Sequence, residues 1–217
     1  DKLEIVAMDP ANVAMVVFRL LSSSFIEYNV KEEESIVLSL DSLKQVLGRS
    51  KASDSVIFEL NEETNKLNIR FEGETKRDFN LSLLEGSNED QKVPELDFPG
   101  VVELNNFVFN EAIDDMDIIS DSIVLNLSQE GLRMEAVGNT SDAKANLIVK
   151  DGGELICPED PIKSKYSIEY LKKIAKGGKL ANNVTLKFGP DYPLQIEYLV
   201  QDKLSLMTIL APRVSND

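Results

Sequence analysis

The feature that most constrains this chain is that part of it is written twice. Ser167-Ile168-Glu169-Tyr170-Leu171-Lys172-Lys173-Ile174 echoes Ser39-Leu40-Asp41-Ser42-Leu43-Lys44-Gln45-Val46. Leu3 to Met8 resembles Leu132 to Val137, Val56 to Leu60 matches Val184 to Phe188, and Leu67-Asn68-Ile69 matches Leu194-Gln195-Ile196. All four matches share an offset of about 128 residues, and a constant offset marks two copies of one domain.

Each repeated segment carries a period. Ile168, Leu171, Ile174 and Ala175 recur at helical spacing and make one apolar stripe. Lys172 and Lys176, four apart, share a different face. Gly177-Gly178 is expected to stop this helix through the left-handed conformation that glycine allows. Leu67, Ile69 and Phe71 alternate with Asn68, Arg70 and Glu72, and Phe79, Leu81 and Leu83 repeat the pattern. Such alternation predicts antiparallel sheets with one face on a core. Turn signals separate the runs at Asn61-Glu62-Glu63, Gln129-Glu130-Gly131, Asp151-Gly152-Gly153 and Gly189-Pro190-Asp191. Strands outnumber short helices, so the chain reads as a β-rich α+β fold.

From Leu84 to Gly100 the periodicity dissolves, which predicts a connector at 84–100 between a first domain at 1–83 and a second at 101–217. Residues 101–126 contain a strand, a helix with Phe109, Ala112, Ile113 and Met116 on one face, and another strand. The matching segment of the first copy would precede Asp1, so that copy is expected to lack about 28 residues at its N-terminus.

Composition narrows the chemistry. With 42% hydrophobic and 28% charged residues, the 217-residue chain is globular in character, and no apolar run is long enough to span a bilayer. There is no histidine, which removes the commonest general base and metal ligand, and Cys157 is the only cysteine. No nucleophile elbow, glycine-rich phosphate loop or zinc-type cysteine spacing occurs. Acidic Glu111, Asp114, Asp115 and Asp117 could be imagined as a divalent-metal site for phosphoester hydrolysis, but such clusters are usually solvated helix faces. The expectation is no catalytic residue, no cofactor and no metal. A net charge of −15 argues against indiscriminate nucleic-acid binding, unless the basic residues are segregated. Between Pro161 and Lys187 they are: Lys163, Lys165, Lys172, Lys173, Lys176, Lys179 and Lys187 meet only Glu169 among acids in that stretch.

Three segments then carry a specific resemblance: Ala7-Met8-Asp9-Pro10-Ala11-Asn12-Val13-Ala14-Met15, Pro193-Leu194-Gln195-Ile196-Glu197-Tyr198 and Ile209-Leu210-Ala211-Pro212-Arg213. Together, in order and at matching spacing across essentially the whole chain, they resemble the proliferating cell nuclear antigen family of sliding clamps, in its archaeal form. The resemblance implies the DNA-clamp fold, a toroid of three subunits, each with two similar domains, helices lining the hole and sheets outside. It implies a non-enzymatic processivity factor for DNA replication and repair. Such a ring encircles duplex DNA without reading its sequence and works inside the cell on chromosomal DNA. It tethers DNA polymerase, flap endonuclease, DNA ligase and the clamp loader through a PIP-box groove.

Carried over by position, the resemblance makes Lys172, Lys173, Lys176 and Lys179 DNA-facing, with Lys44, Arg49 and Lys51 in the corresponding region of the first copy. Mobile lysine charges suit weak, sequence-blind phosphate contact. The partner-peptide groove would comprise Met8, Val13 and Met15, the connector residues Val93 and Pro94, and Pro193, Leu210, Ala211 and Pro212. Ring closure would pair Asp78-Phe79-Asn80-Leu81-Ser82-Leu83 of one subunit with Ala143-Lys144-Ala145-Asn146-Leu147-Ile148-Val149 of the next. Four positions depart from the family pattern. Glu169 stands where arginine is common, Glu111 and Asp114 lie on a helix that usually carries bases, and Gln91 stands where an apolar residue is frequent. The resemblance implies a homotrimer or a heterotrimer, since the family contains both, with a poorly basic inner surface inclining mildly to the second; the alternative function is a protein-interaction scaffold or heteromeric clamp subunit with little direct DNA contact.

Overall fold

The computed structural model describes residues 1–85, 92–149, 153–158 and 161–213. The turn expected at Asp151-Gly152 and the central part of the connector, Gln91 included, lie outside the described residues.

In chain order the elements are strands β1 (Lys2–Met8) and β2 (Ala14–Leu21), helix α1 (Leu40–Leu47), and strands β3 (Ser55–Asn61), β4 (Lys66–Glu72) and β5 (Lys76–Ser82). Strand β6 (Gly100–Asn105) and helix α2 (Asn106–Asp117) follow, then β7 (Ser122–Ser128), β8 (Gly131–Val137), β9 (Asp142–Leu147), β10 (Leu155–Ile156) and β11 (Ile162–Ser167). Helix α3 (Ile168–Ala175) precedes β12 (Asn183–Phe188), β13 (Leu194–Val200) and β14 (Leu204–Leu210). The duplication is therefore structural as well as textual: α1 recurs as α3, β1 and β2 as β8 and β9, and β3, β4 and β5 as β12, β13 and β14.

The described residues gather into two compact units, one of Asp1–Tyr28 with Gln91–Asp217 and one of Asn29–Asp90. This division differs from that of the repeat, because β1 and β2 belong to the first copy yet complete a sheet of the first unit. That seven-stranded sheet runs β1-β2-β14-β13-β12-β6-β10, and a four-stranded sheet in the same unit runs β11-β7-β8-β9. Every described pairing is antiparallel, as the alternating pattern requires.

Helices α2 and α3 pack their apolar stripes into the core of the first unit. Phe109, Ala112, Ile113 and Met116 of α2 and Ile168 and Leu171 of α3 are buried together with Val102, Leu104, Ile123, Leu125, Leu186 and Phe188. Fully burying a side chain such as Leu171 contributes roughly 1.5–3 kcal/mol. Asn105 starts α2 by accepting from the N–H groups of Phe107 and Val108 at 3.0 and 3.4 Å, which satisfies donors that have no partner inside the helix.

The second unit is the sheet β3-β4-β5 under α1. Leu67, Ile69 and Phe71 are buried against Leu43, Val46 and Leu47 of the helix, with Phe79 and Leu81 of β5 closing the cluster. Arg77 pairs with the buried carboxylate of Asp54 and stacks over Phe71, 5.1 Å from the ring centroid. Ser39 caps α1, its hydroxyl accepting from the Ser42 N–H at 3.3 Å.

One local expectation is corrected. Gly177-Gly178 does not end α3 in a left-handed conformation; both lie in a 3-10 turn, Lys176–Lys179, that continues it. What Gly177 supplies is close approach: a Cβ there would meet the Tyr198 ring and Leu206 at 2.8 Å.

Candidate functional site

Helix α3 turns Ile168 and Leu171 inward, which forces Lys172 and Lys173 outward, and both are exposed. Lys172, Lys173 and Lys176 line one shallow cleft with Asp117 and Glu169. Lys172, Lys176 and Lys179 line a second, of about 290 Å³, with Asn106, Asn110 and Asp114 across it on α2. The four lysines expected to face DNA are thus brought to one surface. Amide groups of α2 fix its geometry: Asn106 Nδ2 donates to the carbonyls of Gly178 (3.0 Å) and Ala181, and Asn110 Nδ2 donates to that of Ala175 at 3.2 Å.

This surface is not a bare array of cations. Lys172 Nζ lies 2.6 Å from Asp117 Oδ2 and 3.8 Å from Asp114 Oδ1. Lys172 holds its proton more tightly than an isolated lysine, first through the hydrogen bond to Asp117 and then through the neighbouring negative charge. Lys173 Nζ lies 2.7 Å from Glu169 Oε1, a bond that also lowers the pKa of Glu169, and sits 5.2 Å above the Tyr170 ring. So the acids of α2, read from sequence as a solvated face, include direct partners of an expected DNA contact. Among the described residues no cluster of carboxylates or cysteine suited to a metal ion occurs.

Sequence reasoning passed over a junction beside this surface. In the turn between β1 and β2, Asp9 Oδ1 accepts from the N–H groups of Val13 (2.6 Å) and Ala14 (2.7 Å), and Oδ2 accepts from that of Ala11 at 3.2 Å. The Tyr170 hydroxyl of α3 donates to Oδ2 at 2.7 Å. These bonds, led by the Ala14 N–H, lower the pKa of Asp9 to about 2. Asn12 takes a left-handed φ of 56°, which its short polar side chain tolerates. The signal for this junction was in the Ala7–Met15 motif, but its partner lies 161 residues away.

Lys44, Arg49 and Lys51 are exposed in the second unit, Lys44 on the outer side of α1. Arg49 lends its carbonyl to Arg77 Nη1 at 2.9 Å, and Lys51 Nζ stands 4.0 Å from Glu74.

The expected groove residues fall into two groups. Met8, Met15 and Val93 pack together in a small cluster with Val17, Met207, Ile209, Val6 and Leu96, five residues outside the expected groove. Val13 and Leu210 instead join the main core, where Leu210 is fully buried. Pro193, Ala211 and Pro212 are half-buried and Pro94 is exposed, while the Ala211 N–H donates to the Val13 carbonyl at 2.9 Å.

Of the expected subunit edges, Asp78 to Ser82 lie in β5, with Leu83 just beyond it, and β5 is the last strand of its sheet. Ala143 to Leu147 lie in β9, the last strand of the four-stranded sheet, with Ile148 and Val149 beyond it.

Comparison with known proteins agrees across the chain. Residues 1–90 match the model of the proliferating cell nuclear antigen N-terminal domain and residues 92–213 that of its C-terminal domain. The DNA polymerase sliding clamp of Thermococcus gammatolerans is 38% identical over 209 residues, covering 96% of this chain and 84% of that protein. The DNA polymerase sliding clamp of Nanoarchaeum equitans is 36% identical over 216 residues, covering 98% and 87%. A crystal structure of PCNA from Thermococcus kodakaraensis superposes with a TM-score of 0.89 at 28% identity, over 98% of this chain and 87% of that one. A duplicated β-rich fold, lysines gathered on α3 and the turn after it, and matches in both halves lead to one conclusion: the chain belongs to the proliferating cell nuclear antigen family of DNA sliding clamps.

Proposed function

We propose that this chain is one subunit of a closed clamp ring that encircles duplex DNA and slides along it, acting as a processivity factor and not as a catalyst. The observation that carries the reading is an edge pairing inside the chain itself. Strand β14 pairs with β2, joining the end of the second copy to the first. At the repeat offset, the counterparts of β14 and β2 are β5 and β9, and both are terminal strands of their sheets. A repeat that joins copy to copy through one such pair has the means to join subunit to subunit through the other. Unpaired, both would be edges prone to indiscriminate association. Successive head-to-tail contacts of this kind generate a ring when the rotation closes.

Within that ring Lys172, Lys173, Lys176 and Lys179, with Lys44, Arg49 and Lys51, would meet the phosphate backbone. Long-range attraction without bidentate geometry is what sliding needs. The cluster of Met8, Met15 and Val93, flanked by Pro94, Pro193, Ala211 and Pro212, is the seat for partner peptides, and methionine repacks readily around varied anchors. Partners of this class are DNA polymerases, nucleases, ligases and the clamp loader, met inside the cell on DNA. The clamp domains span 1–83 and 101–217, with the connector at 84–100. Light scattering of the chain, alone and mixed with related clamp subunits, tests the assembly. A mass of three subunits is expected for one of these samples, and Leu81→Asp should reduce it. A monomer in every mixture at micromolar concentration overturns the ring.

A further inference from the structure

A surface that only attracted phosphates would leave its lysines unopposed. Here Lys172 reaches from α3 to two carboxylates on α2, Asp117 at 2.6 Å and Asp114 at 3.8 Å. Both acids remain exposed, so the pair lies open to a competing anion. Other charges face the same region. Lys173 is held by Glu169, whereas among the described residues Lys176 and Lys179 make no ion pair, and Glu111 and Asp115 meet no cation.

Resting on the reading of α3 as DNA-facing, we propose that Asp117 and Asp114 are resident substitutes for phosphate, holding Lys172 between DNA contacts and releasing it to each phosphate in turn. Carboxylate and phosphodiester are alternative acceptors for one ammonium group, so the exchange replaces one charge-assisted hydrogen bond with another. The raised pKa of Lys172 agrees with an ammonium already engaged. An exposed pair is weak enough to open readily, and the flexible lysine stem can swing between acceptors. Two consequences follow. The grip on DNA is reduced by whatever the resident pair contributes, and a lysine leaving one phosphate does not wait as a bare cation for the next. Asp117 and Asp114 are in this sense positioning residues that set how firmly the clamp holds.

The test compares four forms of the full chain: wild type, Asp114→Asn with Asp117→Asn, Glu111→Gln with Asp115→Asn, and Lys172→Ala. The second double variant removes equal charge from the same helix but takes no partner from a lysine. Binding of a mixed-sequence DNA duplex is followed over a potassium chloride series by backbone amide NMR shifts on α2 and α3, which also report that each variant is folded. The first double variant is expected to bind a few-fold tighter, up to about five-fold, the range an exposed ion pair allows. Its salt dependence should steepen by about 0.9 in log–log slope, because freed carboxylates no longer take up a cation as DNA sheds one. The control should leave the slope at its wild-type value. If the two double variants behave alike, net charge alone is acting and the exchange is overturned. If Lys172→Ala weakens binding while Asp114→Asn with Asp117→Asn changes neither affinity nor slope, the exchange again fails and α3 stays DNA-facing. Unchanged binding by Lys172→Ala removes Lys172 from the DNA-facing set and overturns the exchange with it.

Discussion

Asp9 shows how much one short side chain can organise. Its two oxygens accept from three backbone N–H groups of the β1–β2 turn and from the Tyr170 hydroxyl, so that turn and a helix share one acceptor. Because its folded pKa is about 2, against 3.8 for an unperturbed Asp, the unfolded chain binds a proton that the folded chain refuses. The contribution of Asp9 to stability is therefore complete above pH about 4 and is lost as pH falls towards 2. Urea unfolding of Asp9→Asn across pH 2–6 should show a lower midpoint at pH 6 and a flatter acid limb than wild type. Parallel limbs would show that another group sets the acid response. Gly177 makes a different point at the same scale. Its presence was plain in the sequence, but glycine offers both unusual backbone angles and the absence of a Cβ, and sequence does not say which is used. The fold uses the second, against Tyr198 and Leu206. Gly177→Ala should destabilise the first unit by about 1–3 kcal/mol through overpacking, measurable by thermal unfolding.

Among the elements, the helices were the most legible. The stripe of Ile168, Leu171 and Ile174 and the set Phe109, Ala112, Ile113 and Met116 were readable because local periodicity reflects which face is buried. What α3 meets on its other face was not readable. Lys172 reaches Asp117, 55 residues earlier, and no local pattern encodes a pairing between helices brought together by the fold. The proposed groove was half legible for the same reason. Met8 and Met15 came from a motif, whereas Val17 and Met207 join them only because β14 lies beside β2. Replacing Lys172, Lys173 and Lys176 together by alanine should shorten retention on circular DNA and flatten its salt dependence. About 0.9 in slope should be lost with Lys176, and less with Lys172 and Lys173, whose freed carboxylates take up a cation as DNA sheds one. In wild type, Lys172 and Lys173 already have carboxylate partners, so Lys176→Ala alone should account for a larger share of the loss than either neighbour. Equal losses from the three single variants would contradict this ordering.

At the scale of the whole molecule, the repeat predicts a register for the proposed contact between subunits. In the chain, β14 and β2 pair with Thr208 opposite Val16, Met207 opposite Val17 and Ile209 opposite Met15. Moved by the repeat offset of about 128 residues, these become Asn80 opposite Lys144, Phe79 opposite Ala145 and Leu81 opposite Ala143 of the next subunit. The chemistry agrees with that alignment. Met207, Ile209, Val17 and Met15 form an apolar cluster inside the chain, and their counterparts Phe79, Leu81, Ala145 and Ala143 are likewise apolar, large opposite small. On the other face Asn80 and Lys144 are both exposed and polar. Antiparallel partners have Cα atoms about 4.5–5.5 Å apart, inside the range a disulfide spans. Asn80→Cys with Lys144→Cys in one chain should therefore give, on mild oxidation, a ladder of covalent oligomers that ends at the closed ring. Asn80→Cys with Ala145→Cys should not, because a one-residue slip puts the two side chains on opposite faces of the sheet. Buried Cys157 should stay outside the reaction in both. Non-reducing electrophoresis separates the outcomes. Crosslinking by the slipped pair and not by the aligned one would mean that the junction between subunits does not copy the junction within the chain.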